Sequence, residues 1–275
     1  MNDGDIGDMV TVRLPDRTDE RKSSGAGPDG SREIVIELEK QPGAPAGVTP
    51  ESAPRLFDLP QVQPDWKSAP IERLEADFVR LCLPLFYAER EPIRSLGLTS
   101  AVAGEGKTSV AWLVSHALAT NSHQGVVLVE CDWDRPTFSR GLGLPASPGL
   151  AEYLAGTSRR AEIRYQFLPN LAVIPAGMGG PEALWALAQL SREQLYGMLA
   201  KPGEVLILDL PSVLESRFGP IATRLADALL LVVRAGATPA QLVSRASDEV
   251  KHLRVEGLVL NQVQTSIPHW LQRLL

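Results

Sequence analysis

The stretch RSLGLTSAVAGEGKTSVAWLVSHALA, residues 94–119, decides the fold of this 275-residue chain. Its pattern is a short apolar strand, then a glycine-rich turn, then an amphipathic helix. Apart from its first position, where Ala101 replaces glycine, the turn fits the phosphate-loop pattern G-x-x-x-x-G-K-S/T. Because strand, turn and helix come in the order that this pattern requires, the stretch predicts a nucleotide site rather than an ordinary glycine turn beside a surface lysine.

The residue types in the turn suit the binding of phosphate groups. Gly104 and Gly106 allow the backbone to turn tightly, so that several N–H groups point at one anion. The helix that follows adds the positive end of its dipole and its free N–H groups. We expect Lys107 to reach the β- and γ-phosphates and the Thr108 hydroxyl to bind Mg²⁺. The predicted phosphate-binding residues are Ala101, Val102, Ala103, Gly104, Glu105, Gly106, Lys107, Thr108 and Ser109.

Composition and charge argue against several classes of protein. The net charge of -6, without a dense basic stripe, argues against nucleic acid as the main partner. Cys82 and Cys131 form neither a disulfide framework nor a metal-ligand spacing. No apolar run approaches the roughly 18 residues that span a bilayer. The acidic N-terminus lacks the apolar core of a signal peptide. A cytoplasmic protein is therefore predicted.

The chain divides into three parts by composition. Residues 1–68 are rich in Pro, Gly, Ser and acidic residues, and they bury too little apolar surface to offset the entropy of ordering. This part is predicted to be a disordered tail, with one apolar island at 34–38 that has the pattern of a strand. Residues 69–266 are the predicted nucleotide-binding domain. Residues 267–275 are a short amphipathic segment, which either packs back on the domain or touches a membrane.

Apolar strands alternate with helices through the predicted domain. A helical face begins near Ile71, and Pro84 is expected to kink or end that helix. Further helices are predicted at 149–156, 181–199 and 239–253, and further strands at 125–132, 171–175, 205–209, 226–233 and 257–261. The alternation predicts an α/β fold, a mostly parallel sheet with helices on both faces.

Carboxylates stand at the ends of two of these strands. Glu130 and Asp132 end one of them, and Asp209 ends the other. Because ligands of parallel sheets bind beyond the carboxyl ends of the strands, we expect these acids in one crevice with the glycine-rich turn. Oxygen atoms of this kind suit the Mg²⁺ of a bound nucleotide, so Asp132 and Asp209 are candidate metal ligands with Thr108.

Several motifs in sequence order resemble the cytoplasmic ATPase domain of the bacterial tyrosine kinases of capsule and exopolysaccharide systems. TSAVAGEGKT at 99–108 is similar to the family's T-S-x-x-P-G-E-G-K-S/T. ECDWDRP at 130–136 resembles its D-x-D motif, and GLAEYLAG at 149–156 its G-L-x-x-x-L-x-G. VLILDLPSV at 205–213 is similar to its V-I-I-D-T-P-P-V. The resemblance extends over residues 71–264.

The resemblance implies a P-loop ATPase that uses ATP and Mg²⁺ and transfers phosphoryl groups to tyrosine. It implies that Lys107, Asp132, Glu130 and Asp209 act in catalysis, a carboxylate at 130–132 helping to deprotonate the tyrosine, and that Asn261 faces the adenine. It also implies a transmembrane activator or polysaccharide co-polymerase as partner, recruitment to the inner face of the membrane, and homo-oligomers.

The chain departs from the family pattern at several positions. Glu130 replaces the first aspartate of D-x-D, Asp134 stands where a basic residue is common, and Ala103 replaces the common proline. The C-terminal sequence SIPHWLQRLL has no tyrosine cluster. The oligomerisation motif E-x-x-R-x-x-R has Phe78 and Leu81 in its arginine positions.

Two other functions stay open on the sequence. One is a partition or septum-site ATPase switch, although Val102 stands where that family carries its signature lysine. The other is an ATP-binding regulator of polysaccharide export that transfers no phosphate, which fits the missing tyrosine cluster. A GTPase is disfavoured, because residues 261–264 lack the N-K-x-D guanine signature.

Overall fold

Runs of Leu, Val and Ile form the centre of the molecule, where strands are covered on both faces. The computed structural model describes residues 8–14, 32–38, 79, 82–86, 93–122 and 124–263. The strands are β1 Asp8–Leu14, β2 Arg32–Leu38, β3 Ser95–Ser100, β4 Gly125–Glu130, β5 Tyr165–Leu168, β6 Leu171–Ile174, β7 Glu204–Asp209, β8 Ala228–Arg234 and β9 Val255–Val263. The helices are α1 Lys107–Asn121, α2 Phe138–Gly141, α3 Leu150–Leu154, α4 Arg160–Ile163, α5 Pro181–Ala188, α6 Arg192–Leu199, α7 Gly219–Ala222 and α8 Ala240–Val250.

All of these strands belong to one sheet, in the spatial order β2-β1-β9-β8-β3-β7-β4-β6-β5. The six neighbours from β9 to β6 run parallel. The other three strands are antiparallel: β5 pairs with β6, β1 with β9, and β2 with β1. In the parallel part β3 lies between β8 and β7, so the loop that follows β3 leaves from the middle of the sheet. This arrangement confirms the predicted α/β class.

The side chains of each central strand alternate between two hydrophobic cores. Val126 and Leu128 of β4 pack in the core that contains α1. Val127 and Val129 pack in the core that contains residues of α3, α6 and α8. This period of two places helices on both faces of the sheet, as the sequence predicts. Helix α1 differs from the expectation, since it is buried around most of its circumference and is not amphipathic.

Two elements differ from the sequence-based boundaries for local reasons. The helix predicted at 181–199 is two helices, because Ser191 starts α6 with a capping box: its Oγ accepts from Gln194 N at 3.2 Å, and Gln194 Oε1 accepts from Ser191 N at 2.8 Å. The antiparallel strand β5 was not predicted. Its partly buried residues follow no clear alternation.

The outer parts of the chain are described only in part. Within residues 1–68 the structure describes β1 and β2, and β2 contains the apolar island at 34–38; the rest of that stretch lies outside the described residues. Residues 79 and 82–86 of the helix predicted near Ile71 are helical, with Pro84 inside the helical run. Segment 267–275 lies outside the described residues, so the division into domains stays a prediction. Among the described helices, none is long and apolar enough to cross a membrane.

Candidate functional site

The glycine-rich turn joins β3 to α1 at the carboxyl end of the central strands. Gly104 and Gly106 have φ angles of 83° and 86°, the left-handed region that glycine adopts without strain. Gly106 is further constrained, because a Cβ there would lie 2.0 Å from Asn261 Nδ2. The turn can therefore keep its shape only with glycine at this position.

Lys107, the first residue of α1, forms a buried ion pair with Asp132. Its Nζ lies 2.7 Å from Asp132 Oδ2, and the side chains are only 10% and 6% exposed. Burial lowers the pKa of Lys107, but the charges of Asp209, Asp132 and Glu130 outweigh it and raise the pKa above its ordinary value. Lys107 therefore carries a positive charge directly beside the glycine-rich turn.

Thr108 connects the turn to the end of β7. Its Oγ1 donates to Asp209 Oδ2 at 2.7 Å, while the other carboxylate oxygen of Asp209, Oδ1, is buried and has no hydrogen-bond partner. Burial is the main cause that raises the pKa of Asp209 to about 7; Lys107 and the Thr108 hydroxyl act in the opposite direction. A buried carboxylate oxygen without a donor is suited to a cation.

These oxygens fit a nucleotide-bound Mg²⁺. Thr108, Asp132 and Asp209 supply hard oxygen atoms around the start of α1, and Asp209 Oδ1 is uncommitted. Within the described part of the chain there is no group of three or more His, Cys, Asp or Glu side chains that could hold a metal by itself. The set is therefore one that phosphate oxygens and water would complete, as is usual for Mg²⁺.

Glu130 is committed to the backbone. The carboxylate, which is 0% exposed, accepts hydrogen bonds from Phe138 N at 3.0 Å, from Ala176 N at 3.0 Å and from Thr137 N. These contacts hold the start of α2 and the loop after β6 against the end of β4. Sequence reasoning gave Glu130 a catalytic role; the structure places its oxygens in hydrogen bonds to main-chain amides.

Glu105 is a site residue whose importance the sequence did not indicate beyond its place in the turn. Its carboxylate, buried within the loop, accepts from Val102 N at 2.8 Å, Thr238 Oγ1 at 2.6 Å and Arg234 N at 3.2 Å. Asn261 Nδ2 in turn donates to the Glu105 carbonyl at 2.9 Å, and Asn261 Oδ1 is buried without a partner. The shape of the turn is thus fixed from β8 and β9, and Asn261 lies beneath it.

The segment after β7 runs along the start of the same turn. Val213 N donates to the Ser100 carbonyl at 2.8 Å, and Leu214 N to the Ala101 carbonyl at 3.1 Å. Sequence reasoning missed the next residue, Glu215, whose Oε2 accepts from Ala103 N at 2.8 Å. The pairing is invisible in the sequence, since the two residues are 112 positions apart.

The hydroxyls of the described tyrosines are hydrogen-bonded to main-chain carbonyls. Tyr196 donates to Glu204 O at 2.7 Å, Tyr153 to Met198 O at 3.3 Å and Tyr165 to Pro148 O at 3.3 Å. All three are partly buried. The fourth tyrosine, Tyr87, lies outside the described residues.

This chain has relatives among known bacterial proteins, although no family model matches it. It is 28% identical over 188 residues to the succinoglycan biosynthesis transport protein ExoP of Rhizobium meliloti, covering 62% of this chain and 22% of ExoP. It is 23% identical over 196 residues to the tyrosine-protein kinase wzc of Salmonella typhi, covering 70% of this chain and 27% of wzc. The chain is thus similar in sequence to proteins that include a bacterial tyrosine kinase. It spans about a quarter of the length of these two relatives.

Solved structures show that the fold is shared with tyrosine-kinase domains. The kinase domain of the Escherichia coli tyrosine kinase ETK matches with a TM-score of 0.65 at 23% identity, covering 80% of this chain and 86% of that one. The cell division ATPase MinD of Pyrococcus furiosus matches with a TM-score of 0.52 at 22% identity, covering 60% of this chain and 70% of MinD. The predicted P-loop fold and the resemblance to bacterial tyrosine kinases are thereby confirmed.

Proposed function

We propose that this chain binds Mg²⁺-ATP at the glycine-rich turn and transfers the γ-phosphoryl group to a tyrosine, in the control of exopolysaccharide or capsule synthesis and export. The observation that carries the proposal is the convergence of Lys107, Thr108, Asp132 and Asp209 at one end of the sheet. The names of the relatives, a tyrosine-protein kinase and a succinoglycan biosynthesis transport protein, support the choice of reaction and of process.

Phosphoryl transfer needs few groups, because positioning and charge stabilisation supply most of the catalysis. The N–H groups of the turn and the start of α1 hold the phosphates, and Lys107 leaves Asp132 to reach them. When bound, Mg²⁺ would neutralise charge on the phosphate oxygens, and Thr108, Asp209 and Asp132 are the residues that would hold it. Asn261, with its free Oδ1 beneath the turn, is the proposed contact to the base.

Asp132 is the proposed base that accepts the proton of the tyrosine hydroxyl. Its partner Lys107 is drawn to the phosphates when nucleotide binds, which leaves an Asp132 oxygen able to accept a hydrogen bond. Glu130 is less suited to this task, because three backbone amides already occupy its carboxylate. Glu130 then contributes to catalysis by holding the turn that carries Asp132.

The proposed acceptor is a tyrosine of another polypeptide or Tyr87. The hydroxyls of Tyr153, Tyr165 and Tyr196 are engaged with main-chain carbonyls, and their exposure for transfer would cost those hydrogen bonds. A transmembrane activator or polysaccharide co-polymerase is the proposed partner, which would bring the chain to the inner face of the membrane. Assembly into homo-oligomers is a further part of this proposal.

The deciding experiment combines nucleotide binding with phosphotyrosine mapping. Wild type and Lys107→Met are incubated with Mg²⁺-ATP, alone and with the cytoplasmic segment of a candidate transmembrane activator. Phosphotyrosine found by mass spectrometry only with wild type supports the kinase. Nucleotide binding that needs Lys107 without any phosphotyrosine contradicts it in favour of a regulator that transfers no phosphate. If neither nucleotide binding nor phosphoryl transfer depends on Lys107, the proposed nucleotide site is wrong.

The regulator is a second candidate because of two observations on this chain. Glu130 has no free oxygen for base catalysis, and the described tyrosines are hydrogen-bonded. A partition or septum-site switch is less well supported. The likeness to MinD concerns the fold alone, and Val102 stands in place of the signature lysine.

A further inference from the structure

Ala103 gives the glycine-rich turn a backbone N–H that the family pattern lacks. In the pattern T-S-x-x-P-G-E-G-K-S/T the residue before the first glycine is proline, which has no N–H to donate. In this chain the Ala103 N–H donates to the Glu215 carboxylate, with 2.8 Å between N and Oε2. The contact exists because alanine occupies this position.

The Glu215 carboxylate is held at the turn from both sides. On one side, Val213 and Leu214 are hydrogen-bonded to the main chain of Ser100 and Ala101. On the other side, Ser216 Oγ donates to Asp134 Oδ2 at 2.7 Å. Glu215 itself is exposed, so water can replace the hydrogen bond from Ala103 when the side chain leaves the turn. The contact is thus well positioned and readily displaced.

The position of this carboxylate has an electrostatic consequence. A phosphate loop attracts anions through its N–H groups and through Lys107, and Glu215 is an anion at the edge of the loop. Ala103 directly precedes Gly104, so Glu215 stands at the edge of the turn in which the phosphates are proposed to bind, and charges within about a Debye length, roughly 8 Å at physiological salt, still interact. ATP carries a γ-phosphate and therefore more negative charge than ADP, so the carboxylate would repel ATP more strongly.

We propose that Glu215 determines the nucleotide preference of the site, by disfavouring ATP relative to ADP. Repulsion between the carboxylate and the γ-phosphate weakens ATP binding, and bound ATP displaces Glu215 from Ala103. The inference rests on the proposed function, since it requires that nucleotides bind at this turn. It adds a residue outside the phosphate-binding, metal-binding and catalytic set.

The test measures the dissociation constants of ATP and ADP by calorimetry in the presence of Mg²⁺. Glu215→Gln keeps a hydrogen-bond acceptor for Ala103 and removes the charge. Ala103→Pro removes the donor and leaves the charge. The matched control is Glu249→Gln, which removes an exposed carboxylate on α8.

Glu215→Gln is expected to tighten ATP binding by about fivefold and to change ADP binding by less than about twofold, and the difference should shrink at high salt. Ala103→Pro should change the ATP-to-ADP ratio in the same direction, while Glu249→Gln leaves it unchanged. Equal changes for ATP and ADP, or weaker ATP binding in Glu215→Gln, would overturn the inference alone. If wild type and every variant bind neither nucleotide, the proposed function fails and the inference falls with it.

Discussion

Thr108 Oγ1 donates to one carboxylate oxygen of Asp209 at 2.7 Å, and the second oxygen of Asp209 is buried without a partner. The two residues are 101 positions apart in the chain. They meet because Thr108 lies in the first turn of α1, above the carboxyl end of β3, and Asp209 ends the neighbouring strand β7. Burial disfavours the charged form of Asp209, which has measurable consequences.

The first prediction concerns the pH dependence of stability without nucleotide or metal. Burial raises the pKa of Asp209 from 3.8 to about 7, so the folded state holds this proton more firmly than the unfolded state. The stability that this provides is complete below about pH 4 and is lost as pH rises to about 7. Asp209→Asn should remove the loss and unfold with a free energy higher by on the order of 4 kcal/mol at pH 8.

Urea unfolding of wild type and Asp209→Asn at pH 5, 6, 7 and 8 measures this difference. The two proteins should differ least at pH 5, the difference should grow up to about pH 7, and it should change little from pH 7 to pH 8. Addition of Mg²⁺-nucleotide should stabilise wild type and leave the variant unchanged. A variant that is less stable than wild type at pH 8 would contradict the prediction, because it would mean that Asp209 is stabilised as a carboxylate.

The second prediction separates the ion pair of Lys107 and Asp132 from nucleotide binding. Lys107→Met leaves the buried Asp132 carboxylate without its partner, and loss of one member of a buried pair costs about 3 kcal/mol. Lys107→Met combined with Asp132→Asn removes the stranded charge, so it should recover most of that stability. Chemical denaturation checks the stability of each protein, and calorimetry should find no ATP binding in either variant. Equal stability of the single and double variants would contradict the proposed coupling.

The convergence of the site was predictable because it follows from local patterns. A strand, a glycine-rich turn and a helix identify Lys107 and Thr108, and apolar runs that end in acids identify Asp132 and Asp209. Parallel pairing places the ends of β4 and β7 side by side, with Glu130 opposite Asp209. The place of a residue at the carboxyl end of its strand fixes the edge of the sheet at which it lies. That information was enough to predict that these residues lie close together.

The direction of each side chain was not predictable in the same way. Glu130 and Asp132 are two positions apart, a spacing that would place both on one face of a continuing strand, but β4 ends at Glu130. Beyond that point Asp132 reaches Lys107, while Glu130 is turned to the amides of residues 137, 138 and 176. The contacts of Glu105 and Glu215 join segments more than a hundred residues apart, for which the sequence has no local signal.

The third prediction distinguishes a positioning role of Glu130 from base catalysis. Glu130→Gln keeps the shape but replaces charge-assisted hydrogen bonds to three backbone amides, and it should lower the free energy of unfolding by about 2 kcal/mol. The glutamine side chain has an NH2 group in place of one carboxylate oxygen, and this group cannot accept a hydrogen bond from a backbone N–H. If it faces Ala176, that N–H loses its acceptor, and the loop at 176 should exchange its amide hydrogens faster. Hydrogen exchange and urea unfolding measure both effects. Unchanged stability together with complete loss of phosphoryl transfer would instead identify Glu130 as the base.

The fourth prediction concerns the two cysteines of the chain. Burial raises the pKa of the Cys82 thiol to about 12, and burial beside acidic residues also raises the pKa of Cys131. Neither thiolate is populated at neutral pH, so the folded protein should not react with a thiol reagent within minutes. Both thiols should react once the protein is unfolded in guanidinium chloride. Rapid labelling of Cys131 in the folded state would show that the end of β4 opens on that timescale.

The last prediction uses the two glycines of the turn as a matched pair. Both have positive φ angles, so alanine at either position is strained by about 1 kcal/mol. A Cβ at Gly104 meets open space, whereas a Cβ at Gly106 lies 2.0 Å from Asn261 Nδ2 and displaces the amide that holds the Glu105 carbonyl. Gly106→Ala should therefore lower the unfolding temperature clearly more than Gly104→Ala, as scanning calorimetry measures. The combination of Gly106→Ala with Asn261→Ala should recover part of that loss, because it removes the collision; failure to recover any of it would mean that backbone strain alone requires glycine at this position.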